Sequence, residues 1–404
     1  MARNHMRYSK LPEVPENLTP HRGLFSKVVR CSRGNVTCLC LVGVAIWVIL
    51  APLSYKYILS DGPAQRHPDV EPSWSQFMSG DLEPRLIKIK NSQILANKYK
   101  VPNTVDFGVK MTKYELMCKL QGILDAFITK RDRPFMHSNW SYYLPFGSMV
   151  FDKIRAKTTC AVVSSAASMR ASNFGEDIDS HDLIMRFNDA PTKGYELDVG
   201  SKTSIRLFNS QVFTRRKEFF FTNMKGLGDQ FVIWDPTTYN VNLTEWYSNP
   251  EYKFFDNFRQ WVDKMQGQEA FILNPNFIWK VWTVIQAFSA ERIQPNPPSS
   301  GTIGLALLMN ICKKIDLYGF LSLKGIELCH YYDSMKDTAC TYGAYHPLIF
   351  EKKAMAFIAQ SSYITDHKDR LTIVPNDQIA CLKPQRVTPS GGLSKILQRI
   401  FMGR

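Results

Sequence analysis

Cys160-Ala-Val-Val-Ser164, Leu183-Ile-Met-Arg-Phe-Asn188 and Ser204-Ile-Arg-Leu-Phe-Asn209 are short apolar runs, each stopping in a hydroxyl or amide side chain. Gln230–Asp235, Ala270–Asn274 and Ile315–Phe320 continue the series, with helical-looking stretches between them. Buried strands of this length alternating with helices specify an α/β domain with a largely parallel central sheet flanked by helices. In such open sheets, ligands sit at the carboxyl ends of the strands. The small residues from Ser164 to Ser168, with Arg186-Phe-Asn-Asp-Ala-Pro191 and Arg206-Leu-Phe-Asn-Ser-Gln211, therefore mark a candidate site. Any one cluster could be plain capping chemistry; three strand ends of this kind favour a site.

The 404 residues are 45% apolar and 21% charged, ordinary globular content that excludes a disordered or collagen-like chain. The net charge is +14, and residues 1–33 hold seven Lys/Arg against Glu13 and Glu16. Residues 34–55 carry no charge, with an apolar centre from Cys38 to Leu53. About 20 such residues span a bilayer as a helix. Basic residues precede this run, whereas Asp61, Asp69 and Glu71 follow it, so the positive-inside rule puts everything after it outside the cytosol. The run begins too far into the chain for a cleaved secretory signal. The expected order is a cytosolic basic tail (1–33), a transmembrane signal anchor (34–55), a proline-punctuated stem (56–95) and a luminal domain (96–404). A nucleic-acid partner is disfavoured, because the chemistry would lie beyond the membrane.

Six cysteines follow the anchor: Cys118, Cys160, Cys312, Cys329, Cys340 and Cys381. An even number in an oxidising lumen suggests three disulfides, with 15 pairings open. Zinc binding by Cys329, His330, Cys340 and His346 is the weaker reading, since adjacent Cys and His do not easily reach one ion. Asn139 and Asn242 begin luminal glycosylation sequons, while Asn17 and Asn35 begin sequons that the topology leaves unused.

Asn296-Pro-Pro-Ser-Ser-Gly301 leads into an apolar stretch to Cys312 that predicts a helix. Free N–H groups at its start would bind an anion, and Gly301 would let one approach the backbone; ordinary capping by Ser299 or Ser300 is the plainer reading. Two look-alikes fail. Gly194 to Thr203 has the wrong spacing for a P-loop, and Asp177-Ile-Asp179 sits among polar residues rather than after a strand, so it reads as a solvated turn instead of a metal-holding pair. No G-x-S-x-G elbow occurs. Near the C-terminus, His346 and Glu351 lie among polar aromatics and Gly343, and His is the side chain best matched to proton transfer near neutral pH.

With these residues assembled, the chain resembles the sialyltransferases. Cys160 to Gln211 is similar to their large motif, Ser299-Ser-Gly301 through Phe320 to the small motif, and His346-Pro-Leu-Ile-Phe-Glu351 to the short H-x4-E motif. The resemblance covers about residues 96–381, and its strings FNDAP, FNSQ, QPNPPSSG and GAYHPL are nearest the β-galactoside α-2,6 branch. It implies a single Rossmann-like, glycosyltransferase-A-variant domain on a type II anchor in the Golgi membrane. The implied reaction is metal-independent, inverting transfer of sialic acid from CMP-sialic acid to the 6-hydroxyl of terminal β-galactose on glycoprotein N-glycans, with no cofactor. Under the resemblance His346 is the general base. Donor contacts are Ser165, Asn188, Asn209, Ser299, Ser300, Gly301, Cys329, His330, Thr341, Tyr345 and Lys352, and acceptor contacts are Gln211 and Glu251. The implied disulfides are Cys160–Cys312, Cys329–Cys340 and Cys118–Cys381. His330 stands where the nearest relatives carry Tyr, and Glu251 where they carry Asp. The competing readings are α-2,3 linkage and a non-catalytic luminal glycan or nucleotide-sugar binder; a homo-oligomer is left open.

Overall fold

All six apolar runs are strands in the computed structural model, which describes residues 84–137, 139–146, 159–216, 228–265, 268–321, 328–337, 340, 343–360, 369–377 and 381. They are β1 Thr159–Val163, β2 Leu183–Phe187, β3 Ile205–Asn209, β4 Gln230–Trp234, β5 Glu269–Ile272 and β6 Lys314–Tyr318. β7, Arg370–Ile373, lies outside the predicted runs; it is four residues long and pairs antiparallel with β6 on the sheet edge. The order is β5-β4-β3-β2-β1-β6-β7, and every other pairing is parallel. β2 and β4 are buried at all five positions. Strands covered on both faces read as continuous apolar runs, which is why their sequence shows no alternation.

From β1 the chain winds outward through β5, then returns to place β6 on the other side of β1. The β1–β6 junction is thus the topological switch point, where the connections diverge and leave a crevice above the carboxyl ends. Gly319 lies there at φ +79, and a Cβ on it would meet Met169 at 2.9 Å and Ser164 at 3.1 Å.

Helices cover both faces. The principal ones for the site are α1 Pro84–Ala96, α2 Lys113–Gln121, α3 Ser210–Arg215, α4 Pro275–Phe288, α5 Ser300–Leu308 and α6 Leu348–Ile358. One face of the sheet, including Val162, Met185, Leu207 and Val232, packs with α2, α4, α5 and α6. On the other face Phe208, Phe231 and Ile233 pack with Trp246, Phe255 and Trp261, and Ala161, Ile184 and Tyr318 form a further cluster. α5 is apolar all round because it is buried over its whole length after Ser300. A Cβ on its Gly304 would lie 2.6 Å from Met185 Sδ, so glycine allows α5 to approach the sheet closely.

α1 falls within the stretch expected to be stem. Its Lys90 is buried and pairs with Glu291, and Asn296 Nδ2 donates to Gln93 Oε1 at 3.2 Å, so folded structure reaches back to residue 84. Three disulfides join Cys118 to Cys381, Cys160 to Cys312 and Cys329 to Cys340, the pairs that the resemblance implies. Among the described residues no helix is long and apolar enough to cross a membrane; the expected anchor, the basic tail and residues 56–83 lie outside them.

Candidate active site

Asn188 and Asn209 close β2 and β3 and use their side-chain oxygens locally. Asn188 takes a left-handed backbone (φ +48), and its Oδ1 accepts from Asn209 N at 2.9 Å. Asn209 in turn caps α3, accepting from Gln211 N at 2.7 Å. The two amide NH₂ groups show no partner among the described residues, leaving paired donors on one strand-end ledge. Beside them, Tyr331 N donates to the Ser165 carbonyl at 3.2 Å, and Ala166 bridges to His330. The Cys329–Cys340 loop thereby sits against the end of β1. His330 is already partnered: its Nδ1 is 2.8 Å from Asp333 Oδ2, and its ring stacks on Tyr332.

The start of α5 is organised by Glu351, a carboxylate with no exposed surface. It accepts from Ser299 N at 2.9 Å, Ser299 Oγ at 2.5 Å and Thr302 Oγ1 at 2.6 Å. Ser299 Oγ also receives Thr302 N at 3.3 Å, so this hydroxyl is committed to capping the helix. Ser300 Oγ accepts from Trp234 Nε1 at 3.0 Å, at the end of β4. At the helix start the Ser300 and Gly301 N–H groups show no partner among the described residues, on a helix whose dipole favours an anion. The space beside Gly301 does not belong to a ligand, as the sequence suggested: a Cβ there would lie 2.4 Å from the Phe320 ring. Glycine is needed at that position for packing.

His346 is oriented by main chain. Its Nδ1 lies 2.8 Å from the Pro297 carbonyl, which can only accept, so Nδ1 carries the proton and Nε2 is the basic nitrogen of the neutral ring. Tyr345 meets the imidazole edge-on at 4.8 Å, and its hydroxyl bonds that of Tyr99. Burial raises the Tyr345 phenol above its ordinary range. Burial also pushes the Lys352 ammonium down to about 8, against the opposing pull of Asp369 and Glu351.

On the far side of α3, the Gln211 amide oxygen, turned toward its donors, accepts from Arg215 Nη1 at 2.9 Å and Tyr252 Oη at 3.3 Å. Glu251 pairs with Lys98 at 2.5 Å. Both are tied to Asp235, which the sequence reading passed over. Only 1% exposed, Asp235 accepts from Ser210 Oγ, Trp246 Nε1, Glu251 N and Tyr252 N. Burial pushes its carboxyl up to about 6, while these four donors favour the ionised form. The signal was present: Asp235 follows an apolar run as Asn188 and Asn209 do. Glu251 and Lys98 also border a cavity of about 320 Å³ whose walls include Tyr99, Thr237, Glu245 and Asn249.

Hydrogen bonds link several of the expected residues into groups along the strand-end rim, Asn188 with Asn209, Gln211 and Glu251 by way of Tyr252 and Asp235, and Ser299 with Glu351, while Thr341 lies outside the described residues. Asn139 and Asn242 are exposed and apart from it, Asn242 capping the helix Leu243–Ser248. Asp177 and Asp179 serve the scaffold. Asp179 accepts from Ser201 N, Ser201 Oγ and Lys202 N; burial works against its charge, but these donors hold its carboxyl below the usual range. Asp177 accepts from Tyr318 Oη and Arg370. Among the described residues no group of three or more His, Cys, Asp or Glu is placed to hold a metal ion.

Comparison with known proteins gives the family. The model of glycosyltransferase family 29 (sialyltransferase) matches residues 148–363, a span containing every rim residue except Lys98 and Tyr99. Human beta-galactoside alpha-2,6-sialyltransferase 1 is 40% identical over 297 residues, 72% of each chain. The mouse protein of that name is 39% identical over 70% of each chain. Bovine beta-galactoside alpha-2,6-sialyltransferase 2 is 38% identical over 75% of this chain and 62% of its own. A crystal structure of a mammalian sialyltransferase in complex with Gal-beta-1-3GalNAc-ortho-nitrophenol aligns over 69% of this chain and 86% of its own, at 20% identity and a TM-score of 0.35, too low to support an argument. With strand-end amides, a free helix start and an oriented imidazole on one rim, and relatives this similar over most of its length, the chain belongs to glycosyltransferase family 29, the sialyltransferases.

Proposed function

We propose that the protein transfers sialic acid from CMP-sialic acid to the 6-hydroxyl of a terminal β-galactose, inverting the anomeric centre. The observation that carries this reading is His346, whose Nδ1 is held by Pro297 while Nε2 has no partner among the described residues. Galactose O6 attacks the anomeric carbon as Nε2 removes its proton; the bond to the CMP phosphate breaks and the electron pair leaves with the phosphate. The Ser300 and Gly301 N–H groups and the α5 dipole face that departing charge. A phosphate is a weak base, so its departure needs little protonation. One displacement without an enzyme nucleophile turns a β-linked donor into an α-linked product. Asn188 and Asn209 supply donor-side NH₂ groups, with Ser165, His330, Tyr345, Thr341 and Lys352 around them; Gln211 and Glu251 take the galactose. The family assignment and the relatives' names support the α-2,6 linkage. A type II anchor at 34–55 in the Golgi membrane, with glycans on Asn139 and Asn242, completes the reading.

The test is to incubate the full-length chain in detergent with CMP-sialic acid, Gal-β-1,4-GlcNAc and EDTA, and to determine the product linkage by NMR. An α-2,6 product is expected. An α-2,3 product contradicts the linkage, activity abolished by EDTA contradicts the metal-free reaction, and binding without transfer points to a lectin.

A further inference from the structure

The segment Asn296-Pro-Pro-Ser-Ser-Gly301 is anchored at two ends by two different helices. At Ser299 the anchor is Glu351 of α6, through the main-chain N–H and the hydroxyl. At Asn296 the anchor is α1. Asn296 is 1% exposed, and its Nδ2 donates to Gln93 Oε1 at 3.2 Å; its Oδ1 is buried without a partner. Gln93 therefore supplies the one hydrogen bond that this buried amide makes among the described residues. The residue after Asn296 is Pro297, whose carbonyl receives His346 Nδ1–H at 2.8 Å. The pyrrolidine rings of Pro297 and Pro298 fix their φ angles, so a displacement of Asn296 is passed to the Pro297 carbonyl instead of being absorbed by free rotation.

α1 is held against this region by more than Gln93. Lys90 pairs with Glu291 and lies 5.9 Å over the ring of Phe350, the neighbour of Glu351 in α6. Beyond the helix, the Asn97 side chain both donates to and accepts from the main chain of Val101 at 2.9 Å, closing the turn that carries Lys98 and Tyr99. Lys98 then reaches Glu251 and Tyr99 reaches Tyr345, beside the imidazole.

We infer that Gln93 is a positioning residue for His346, acting through Asn296 and the Pro297 carbonyl, so that α1 belongs to the catalytic apparatus. This rests on the reading of His346 as the base. The two anchors have separable consequences. Loosening Asn296 disturbs the imidazole and reads in kcat, whereas loosening Ser299 disturbs the helix start and reads in the KM of the donor. A displacement near 1 Å at a reacting group costs on the order of 10² in rate, and a partial one about tenfold.

The experiment uses the full-length chain in detergent. Gln93→Met keeps the side-chain length but removes the acceptor; Gln93→Glu keeps an acceptor. Expected are a kcat lowered about tenfold in Gln93→Met with little change in donor KM, recovery in Gln93→Glu, and thermal unfolding of each variant as a check on folding. In ¹⁵N-histidine NMR, wild-type His346 is expected as the Nδ1-protonated tautomer, with Gln93→Met moving toward the Nε2-protonated form. An unchanged tautomer in Gln93→Met overturns the inference whatever the activity. A change in kcat and donor KM by equal factors, with no rescue by Gln93→Glu, also overturns it. A wild-type chain that transfers nothing overturns the functional reading alone, because the tautomer signal needs no substrate.

Discussion

On the proposed donor side, Glu351, itself without exposed surface, holds Ser299 and Thr302 through three hydrogen bonds, and the Cys160–Cys312 bridge ties the start of β1 to the chain just beyond α5. On the proposed acceptor side, Glu251 is held by a main-chain bond to Asp235 and an ion pair to Lys98, whose side chain is 53% exposed against 29% for Glu251. A departing phosphate has one geometry for every acceptor, so its cradle gains from rigidity. The proposed sugar side is set by long, partly exposed side chains, where a single substitution such as Glu251 changes reach without disturbing the core. Rigidity and adaptability are thus divided between the proposed donor and acceptor sides.

The largest effect should come from the covalent tie. Cys160→Ser opens a closure of 152 positions, worth about 4 to 5 kcal/mol in the chain-entropy model. Thermal unfolding should show most of that loss, and donor-side activity should vanish near 37 °C. A variant as stable and active as wild type would mean that packing alone holds the donor side. Next is Glu351→Gln, which replaces one of two accepting oxygens by an NH₂ group facing the Ser299 and Thr302 donors. It should lower stability by about 2 kcal/mol and raise donor KM about tenfold, with acceptor KM little moved; steady-state kinetics with each substrate varied checks the split.

Asp235→Asn should do the reverse. Each Asp235 oxygen faces two donor groups, so one amide NH₂ must oppose them, and the Glu251–Tyr252 segment loosens. The expected result is an acceptor KM about tenfold higher with donor KM in place; equal changes in both would erase the distinction between the sides. The smallest effect is Lys98→Ala. Exposed ion pairs contribute about 0.2 to 1 kcal/mol, so acceptor KM should move about fivefold or less, and the difference from wild type should shrink at 0.5 M NaCl, where screening is stronger.

Much of this was legible in the sequence, for physical reasons that also explain the gaps. Strands covered on both faces leave unbroken apolar runs, so β1 to β6 could be placed within a residue or two, and Asn188, Asn209 and Ser299 stood out at the ends of elements. α1 was hidden because it docks through Lys90 and Gln93, polar residues that leave no apolar period. The partner of His346 was hidden because a backbone carbonyl carries no sequence mark. The pairs Gln93–Asn296 and Lys98–Glu251 join positions 203 and 153 residues apart, and no local pattern reports such contacts. The side-chain space at Gly301 is taken by the Phe320 ring: a glycine says that something comes close, not what.

The central claim is that His346 takes the proton and does not hold the donor. The direct measurement is kcat for His346→Ala in the full-length chain, together with CMP affinity by calorimetric titration. General-base assistance is typically worth about 10² to 10⁴ in rate, so kcat should fall at least about 10²-fold while CMP binds with nearly unchanged affinity. Near-normal turnover accompanied by lost CMP affinity would contradict the account, making His346 a donor ligand and leaving the proton to another group.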